Sequence, residues 1–393
     1  MKLIWIENEI DKKYISELAQ QLLDKLDYKI FYRPTKTIYN NYQSFLDGDT
    51  IDEFSSIDDV LEFIFDHVTV IVTGYNLNKY DSKYFVKLKK LVLLGHSHLG
   101  PVRYNRIAYL TSKMDNSMSI VPSYYFDLFK TKLSARDLSK IVKVDNYYKN
   151  DYHISNPPRV QCTNSILVLP HWSTSIKEIE EIVVGLRKTY DNPIIVKYHP
   201  NVKLELLKAK KFILGTKVGE KGSSRQAQKA LDDFNLMMKA EYNCSCYYED
   251  EMTLLDAIDQ SSHLVFDGAS TSLVESMIRD YLYSGDIKKK FVIYENKSNK
   301  ELYDEVNKLL NERPNMTLKA ASQKVRNMLG LRNWISYGEV NMISNSYKIG
   351  VVSNGNYNFE EKFSEVDHTI ISKIVVGDGK SANSEIINLI KEL

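Results

Sequence analysis

Cysteine is scarce. Cys162, Cys244 and Cys246 are the only three in 393 residues. So few thiols argue against a disulfide framework, and the single residue between Cys244 and Cys246, with no second thiol pair nearby, does not fit zinc spacing. An excess of one charge is also lacking, since 52 basic and 51 acidic residues leave a formal net charge of +1. That balance supplies no basic field for wholesale nucleic-acid binding. Apolar runs stay well short of the about 18 residues a spanning helix needs. The opening MKLIWIENEIDKKY turns acidic after a few apolar residues, too short a core for a signal peptide. The expectation is a cytoplasmic protein with reduced cysteines, no tightly bound cofactor and no metal site.

What the chain does have is the composition of an ordered globular protein, with 43% hydrophobic and 26% charged residues and 27 tyrosines. Its length allows two domains with substantial cores. Residues 2–6, 28–32, 68–73, 90–95 and 118–122 read as strands, and 12–26, 56–65 and 81–89 as helices between them. Such alternation is the mark of parallel α/β construction. The paired prolines of Tyr152-His-Ile-Ser-Asn-Pro-Pro-Arg159 fit neither regular element and mark a linker.

Beyond it the alternation restarts. Strands are expected at 166–169, 193–198, 263–267 and 290–294, and helices at 176–190, 202–209, 226–240, 252–260, 270–281, 300–312 and 318–330. Lys217 to Arg225 reads as an exposed loop, and 338–354, rich in serine, asparagine and glycine, is assigned no element. The division expected is 1–155, an acceptor domain, 160–380, a donor-nucleotide domain, and 381–393, a closing helix packed across the junction.

Several strand ends carry groups able to do chemistry. In open parallel sheets ligands bind beyond the carboxyl ends of the strands. Leu91 to Leu94 runs into Gly95-His96-Ser97-His98, and either imidazole at such an edge can serve as a general base. Arg103, Arg106 and Lys113 follow as possible anion contacts. Ile194 to Lys197 runs into Tyr198-His199-Pro200, where the proline stops the strand and holds His199 at the rim to donate to a phosphate. Pro170-His171-Trp172-Ser173-Thr174-Ser175 leaves another strand end, with His171 and Ser173 as further ligand contacts and the hydroxyls as helix caps.

A fourth edge, Asp267-Gly268-Ala269-Ser270-Thr271-Ser272, leads into a helix and then Glu275. Small residues and unpaired amides there suit an anion, and Ser270, Thr271 and Ser272 add hydroxyls. Glu275 can reach a ribose or glycerol hydroxyl, although a serine followed by Glu275 also resembles a capping box. Asp267 is placed to orient a histidine or hydroxyl. Asp256, Asp259 and Glu249-Asp-Glu251 read as solvated or helix-start acids.

The order of these motifs, over roughly 90–295, resembles the CDP-glycerol glycerophosphotransferase family of teichoic acid and capsule synthesis. Gly95-His96-Ser97-His98 stands where that family has Trp-His-Gly-Thr, Val121-Pro122-Ser123 is similar to its Val-Pro-Ser, and Lys197-Tyr198-His199-Pro200 to its His-Pro. Pro170-His171-Trp172-Ser173 departs from Pro-Thr-Trp-Arg, and Asp267-Gly268-Ala269-Ser270 from Asp-Tyr-Ser-Ser.

The resemblance implies an α/β, GT-B-like fold, two Rossmann-like domains with parallel sheets facing across a cleft. It implies transfer of glycerol phosphate or a related polyol phosphate from a CDP-linked donor to a glycan or polymer hydroxyl, with His96 or His98 as base and His199, Ser270 and Thr271 on the donor phosphates. A lipid-linked acceptor would bring the protein to the inner face of the membrane. The alternatives are a glycosyltransferase using CMP-sialic acid or a UDP-sugar, a nucleotide-sugar epimerase, and a non-catalytic nucleotide-binding protein.

Overall fold

The computed structural model describes residues 2–6, 18, 21–22, 28–32, 43–44, 69–73, 90–94, 117–122, 126, 135–144, 153–159, 162–171, 174–199, 202, 212–213, 216–217, 224–268, 271–284, 288–295, 297–313, 316, 321, 324–325, 344–345, 347–353, 358–366, 369 and 382–391. They fall into two units, Met1–Pro157 with Ile371–Leu393, and Pro158–Ile370.

The first unit is built on β1 (Lys2–Ile6), β2 (Tyr28–Tyr32), β3 (Gln43–Ser44), β4 (Thr69–Thr73), β5 (Lys90–Leu94), β6 (Ser117–Pro122) and β7 (Ile141–Val144), with α1 (Ala135–Leu138) leading into β7. They form one sheet in the order β3-β2-β1-β4-β5-β6-β7. Every pairing is parallel except β2 with the short edge strand β3. Leu91, Val92, Ile120 and Val121 are fully buried, which fits parallel strands covered on both faces. Five of these strands match the sequence reading. β3 and β7 were not expected, being two and four residues long.

The second unit holds β8 (Ser165–Leu169), α2 (Ile176–Arg187), β9 (Ile194–Lys197), β10 (Phe212–Ile213), β11 (Thr216–Lys217), α3 (Ser224–Tyr242), β12 (Cys244–Tyr247), α4 (Leu254–Gln260), β13 (Ser261–Asp267), α5 (Thr271–Ser284), β14 (Lys290–Glu295), α6 (Lys297–Glu312) and β15 (Gly350–Ser353). Its main sheet runs β12-β9-β8-β13-β14-β15, parallel throughout. Taken in chain order, that is third, second, first, fourth, fifth, sixth, the arrangement of dinucleotide-binding sheets. β10 and β11 pair separately and antiparallel.

Packing follows from residue spacing. α2 buries Ile179, Ile182, Val183 and Leu186, one face of a helical period, against β8, β9 and α3. Each such side chain contributes about 1.5–3 kcal/mol relative to exposure. The end of α2 is fastened by Arg187, whose guanidinium donates to the carbonyls of Tyr190, Asn192, Tyr242 and Asn243 at 2.6–3.1 Å. Beneath α5 a buried pair, Arg279 and Asp259, meets in a fork, Nε to Oδ1 at 2.5 Å and Nη2 to Oδ2 at 2.6 Å.

Two strands of this sheet escape the sequence patterns. β12 is Cys-Ser-Cys-Tyr, without the β-branched run that announces a strand. β15 lies inside the segment that was assigned no element. α7 (Ala382–Lys391) closes the chain, belongs to the first unit and packs on β7. The helices read at 12–26, 56–65, 81–89, 202–209 and 318–330 lie mostly or wholly outside the described residues.

Candidate functional site

In the second sheet the strand order reverses between β8 and β13, the point at which open parallel sheets bind ligands beyond the carboxyl ends of their strands. The loop after β8 is pinned at its far end. Ser175 caps α2 in a capping box: Glu178 N–H donates to Ser175 Oγ at 3.2 Å, and Ser175 N–H donates to Glu178 Oε2 at 2.9 Å. The Thr174 amide closes a turn onto the His171 carbonyl at 3.0 Å.

Thr174 itself is fully buried, and its hydroxyl donates to Asp267 Oδ2 at the end of β13. This hydrogen bond therefore ties the residue ahead of the α2 cap to the end of β13. Asp267 is 4% exposed, and its Oδ1 has no hydrogen-bond partner among the described residues. Burial pushes its carboxyl up to about 7, against the Thr174 hydrogen bond, which favours the charged form; Glu178 pushes it further up.

Gly268 follows with φ 70, the left-handed region that favours glycine, and donates its amide to the Tyr294 carbonyl at 3.0 Å. That turn delivers the chain to α5 at Thr271. Ser272 and Glu275 are then already inside the helix, so the capping-box reading of the pair does not hold. Ser276 Oγ donates to the Ser272 carbonyl at 2.6 Å, and Glu275 is buried at 2% exposure.

β9 brings the third edge. Tyr198 is buried and continues the ladder by donating its amide to the Tyr247 carbonyl at 2.9 Å. His199 comes next, half-buried, its carbonyl accepting from the Val202 amide at 2.9 Å. Its ring lies 6.3 Å from that of His171, centroid to centroid, at 49°. Two imidazoles, the Thr174–Asp267 pair and the start of a fourteen-residue helix thus collect at one sheet edge.

No family model and no curated protein matches the chain. Solved structures do. The UDP-GlcNAc 2-epimerase from Methanocaldococcus jannaschii is 14% identical, with all of both chains covered and a TM-score of 0.48. The UDP-N-acetylglucosamine 2-epimerase from Rickettsia bellii is 9% identical over 100% of this chain and 96% of its own, also at 0.48. A glycosyltransferase from Rickettsia africae ESF-5 is 10% identical over 100% and 98%, at 0.45. The α/β make-up of two Rossmann-like units stands on the strand pairing itself.

Of the residues expected to act, the structure brings together His171 and His199 and sets Asp267 and Thr174 at the adjoining strand ends. Ser173 and Ser270 lie outside the described residues, as do His96 and His98; Thr271 opens α5 and Ser272 is half-buried. In the first sheet the corresponding reversal falls between β1 and β4, beyond Ile6 and Thr73, and β5, which leads toward His96, is the next strand over.

Two of the acids read as solvated or helix-start behave otherwise, while Asp250 and Glu251 are exposed as expected. Asp259 is 7% exposed and bound by Arg279, while Glu249 accepts from Lys197 Nζ at 2.6 Å, a lysine itself 2% exposed. Asp256 does sit in the first turn of α4, next to its Thr253 cap. The Thr174–Asp267 bond was only partly legible, since a strand-end carboxylate announces an orienting role and not its partner. Among the described residues no three His, Cys, Asp or Glu side chains gather as a metal site, and no helix is long and apolar enough to cross a membrane.

Proposed function

We propose that this protein is an enzyme acting on nucleotide-activated donors, a nucleotide-sugar-dependent transferase whose donor phosphates bind at the carboxyl edge of the second sheet. The pairing of His171 with His199 beside the strand-order reversal carries this reading. Imidazoles can donate to phosphate oxygens, and the amides opening α5 add the positive end of a helix. Ser173, Ser270, Thr271 and Ser272 are the further phosphate contacts, and Glu275 the hydroxyl contact. His96 or His98 takes the acceptor's proton as its oxygen attacks, and the nucleotide departs stabilised by the donor-side groups. Glycerol-phosphate transfer from a CDP-linked donor to a glycan or lipid-linked acceptor, as the sequence resemblance implies, is the more specific form of this proposal.

An epimerase is the second reading. A buried carboxyl pushed up to about 7, like that of Asp267, suits repeated proton transfer on a bound sugar.

The test is a calorimetric panel of UDP-sugars, CMP-sialic acid, CDP-glycerol and CDP-ribitol, followed by mass analysis of nucleotide release and acceptor gain. One donor class should bind, and His199→Ala should weaken it about tenfold, roughly 1.4 kcal/mol. Binding by none of them overturns the reading. Interconversion of a free nucleotide sugar without acceptor selects the epimerase.

A further inference from the structure

The second sheet ends at an edge strand whose two thiols share a face. Among the described residues β12 pairs with β9 alone. Alternate residues of a strand point the same way, so Cys244 and Cys246 are neighbours. Cys244 is fully buried in the core cluster that includes Tyr198, Met238 and Tyr248, and Cys246 packs against that cluster while staying half-buried. The two thiols are close enough to shift each other's ionisation, and the Tyr198 hydroxyl acts on Cys246 in the same way. The Tyr198 hydroxyl stands 2.7 Å from Asn235 Oδ1 as well.

This arrangement makes the two sulfurs unequal. The neighbouring Cys246 sulfur and burial push the Cys244 thiol up, while the neighbouring Cys244 thiol holds Cys246 below the usual thiol range. The thiolate is the reactive form, and Cys246 is also the more exposed of the two.

We propose that Cys244 and Cys246 form a peroxide-responsive dithiol, in which Cys246 reacts first and Cys244 resolves it. The Cys246 thiolate attacks one oxygen of hydrogen peroxide. A sulfur–oxygen bond forms as the oxygen–oxygen bond breaks, and the departing hydroxide takes a proton from solvent to leave as water. The Cys244 sulfur then attacks the Cys246 sulfenic acid, the disulfide forms, and the sulfenic oxygen leaves with the Cys244 proton as a second water. The thiols together lose two electrons and the peroxide is reduced to two waters.

The Cα atoms of residues two apart on a strand are about 6.6 Å apart, near the upper limit of what a disulfide spans, and the strand must contract locally to bring the Cβ atoms to the about 3.5–4.5 Å that the bridge needs. An edge strand has no ladder on its outer side to resist the contraction. The bridge is consequently strained and easily reduced, as a reversible modification requires.

The chemistry stands independently of the donor that the site binds. The full chain carrying Cys162→Ser, which removes the exposed third thiol, is treated with hydrogen peroxide, alkylated and mapped by peptide mass. The expected product is one peptide lighter by two hydrogens that spans Cys244 and Cys246 and is restored by dithiothreitol. In the Cys244→Ser variant a sulfenic-acid probe should label Cys246, and in Cys246→Ser it should leave Cys244 unlabelled. Before oxidation, iodoacetamide should modify Cys246 about tenfold faster than Cys244. Mapping of the parent chain needs no variant at this pair to fold. Alkylation of both thiols after peroxide, or linkage only between separate chains, overturns the proposal.

Discussion

Thr174 donates its hydroxyl to the buried carboxyl of Asp267. It thereby joins the end of the β8 loop to the end of β13 at the point where the sheet changes direction. Thr174→Val keeps the shape and deletes the donor. Asp267 would then have lost the partner of its Oδ2, with Oδ1 already lacking one among the described residues. The expected cost is about 1–3 kcal/mol, read by urea unfolding near neutral pH. The Asp267 carboxyl should rise further, because the deleted bond favours its charged form.

Asp267 makes stability depend on pH. Burial raises its carboxyl in the folded protein from the ordinary aspartate range to about 7, so the folded chain holds a proton that the unfolded chain releases. The contribution is fully present below the unfolded value and is lost as pH rises through about 7. Across that window the slope is about 1.4 kcal/mol per pH unit for this one group. Asp267→Asn should flatten that part of the curve, and comparing unfolding midpoints of the two proteins between pH 4 and 8 checks it. Equal slopes would remove the raised carboxyl from the account.

The fork between Arg279 and Asp259 makes a contrasting case, because both partners are buried and charged. Removing one leaves the other without compensation, so Arg279→Met should cost about 3–5 kcal/mol. The double replacement Arg279→Met with Asp259→Leu should recover most of that loss, since apolar side chains of similar size can take the place of a buried pair. A double-mutant cycle in urea measures the coupling. If the double variant is as unstable as the single one, the pair is holding the base of α5 by more than its mutual attraction.

The strands that sequence pattern reveals best are those with a single apolar character. Ile194-Ile-Val ahead of Lys197-Tyr198-His199-Pro200, and Leu264-Val-Phe ahead of Asp267-Gly268, announce both a buried strand and its polar end, and the candidate site grows from those ends. What pattern cannot carry is a partner distant in the chain. Lys197 reads as one face of an alternating strand, yet it is buried because Glu249, 52 residues on, neutralises it. Asp259 reads as a helix acid, yet Arg279, 20 residues on, draws it inside. β12 and β15 share a further difficulty: each becomes a strand through the ladder of its neighbour, β9 or β14, and not through its own composition.

Gly350 shows how such a strand can still depend on one residue. It opens β15, and a side-chain carbon built there would stand 2.0 Å from the Lys362 carbonyl oxygen, a backbone atom that cannot swing aside. The segment that crowds it is fixed in turn. Ser364 exchanges two backbone hydrogen bonds with Phe291, at 2.9 and 3.0 Å, and its hydroxyl accepts from the Gly350 amide at 3.3 Å. Relief requires β15 to leave β14 or the 358–366 segment to leave Phe291. Gly350→Ala should therefore cost about 1–3 kcal/mol, and hydrogen exchange should show the loss at Val351, Val352 and Phe291 before it reaches β8. Because β15 is the edge farthest from β9, donor binding at His199 should stay within about twofold in this variant. A large fall in binding would mean that the 358–366 segment supports the site as well as the sheet edge.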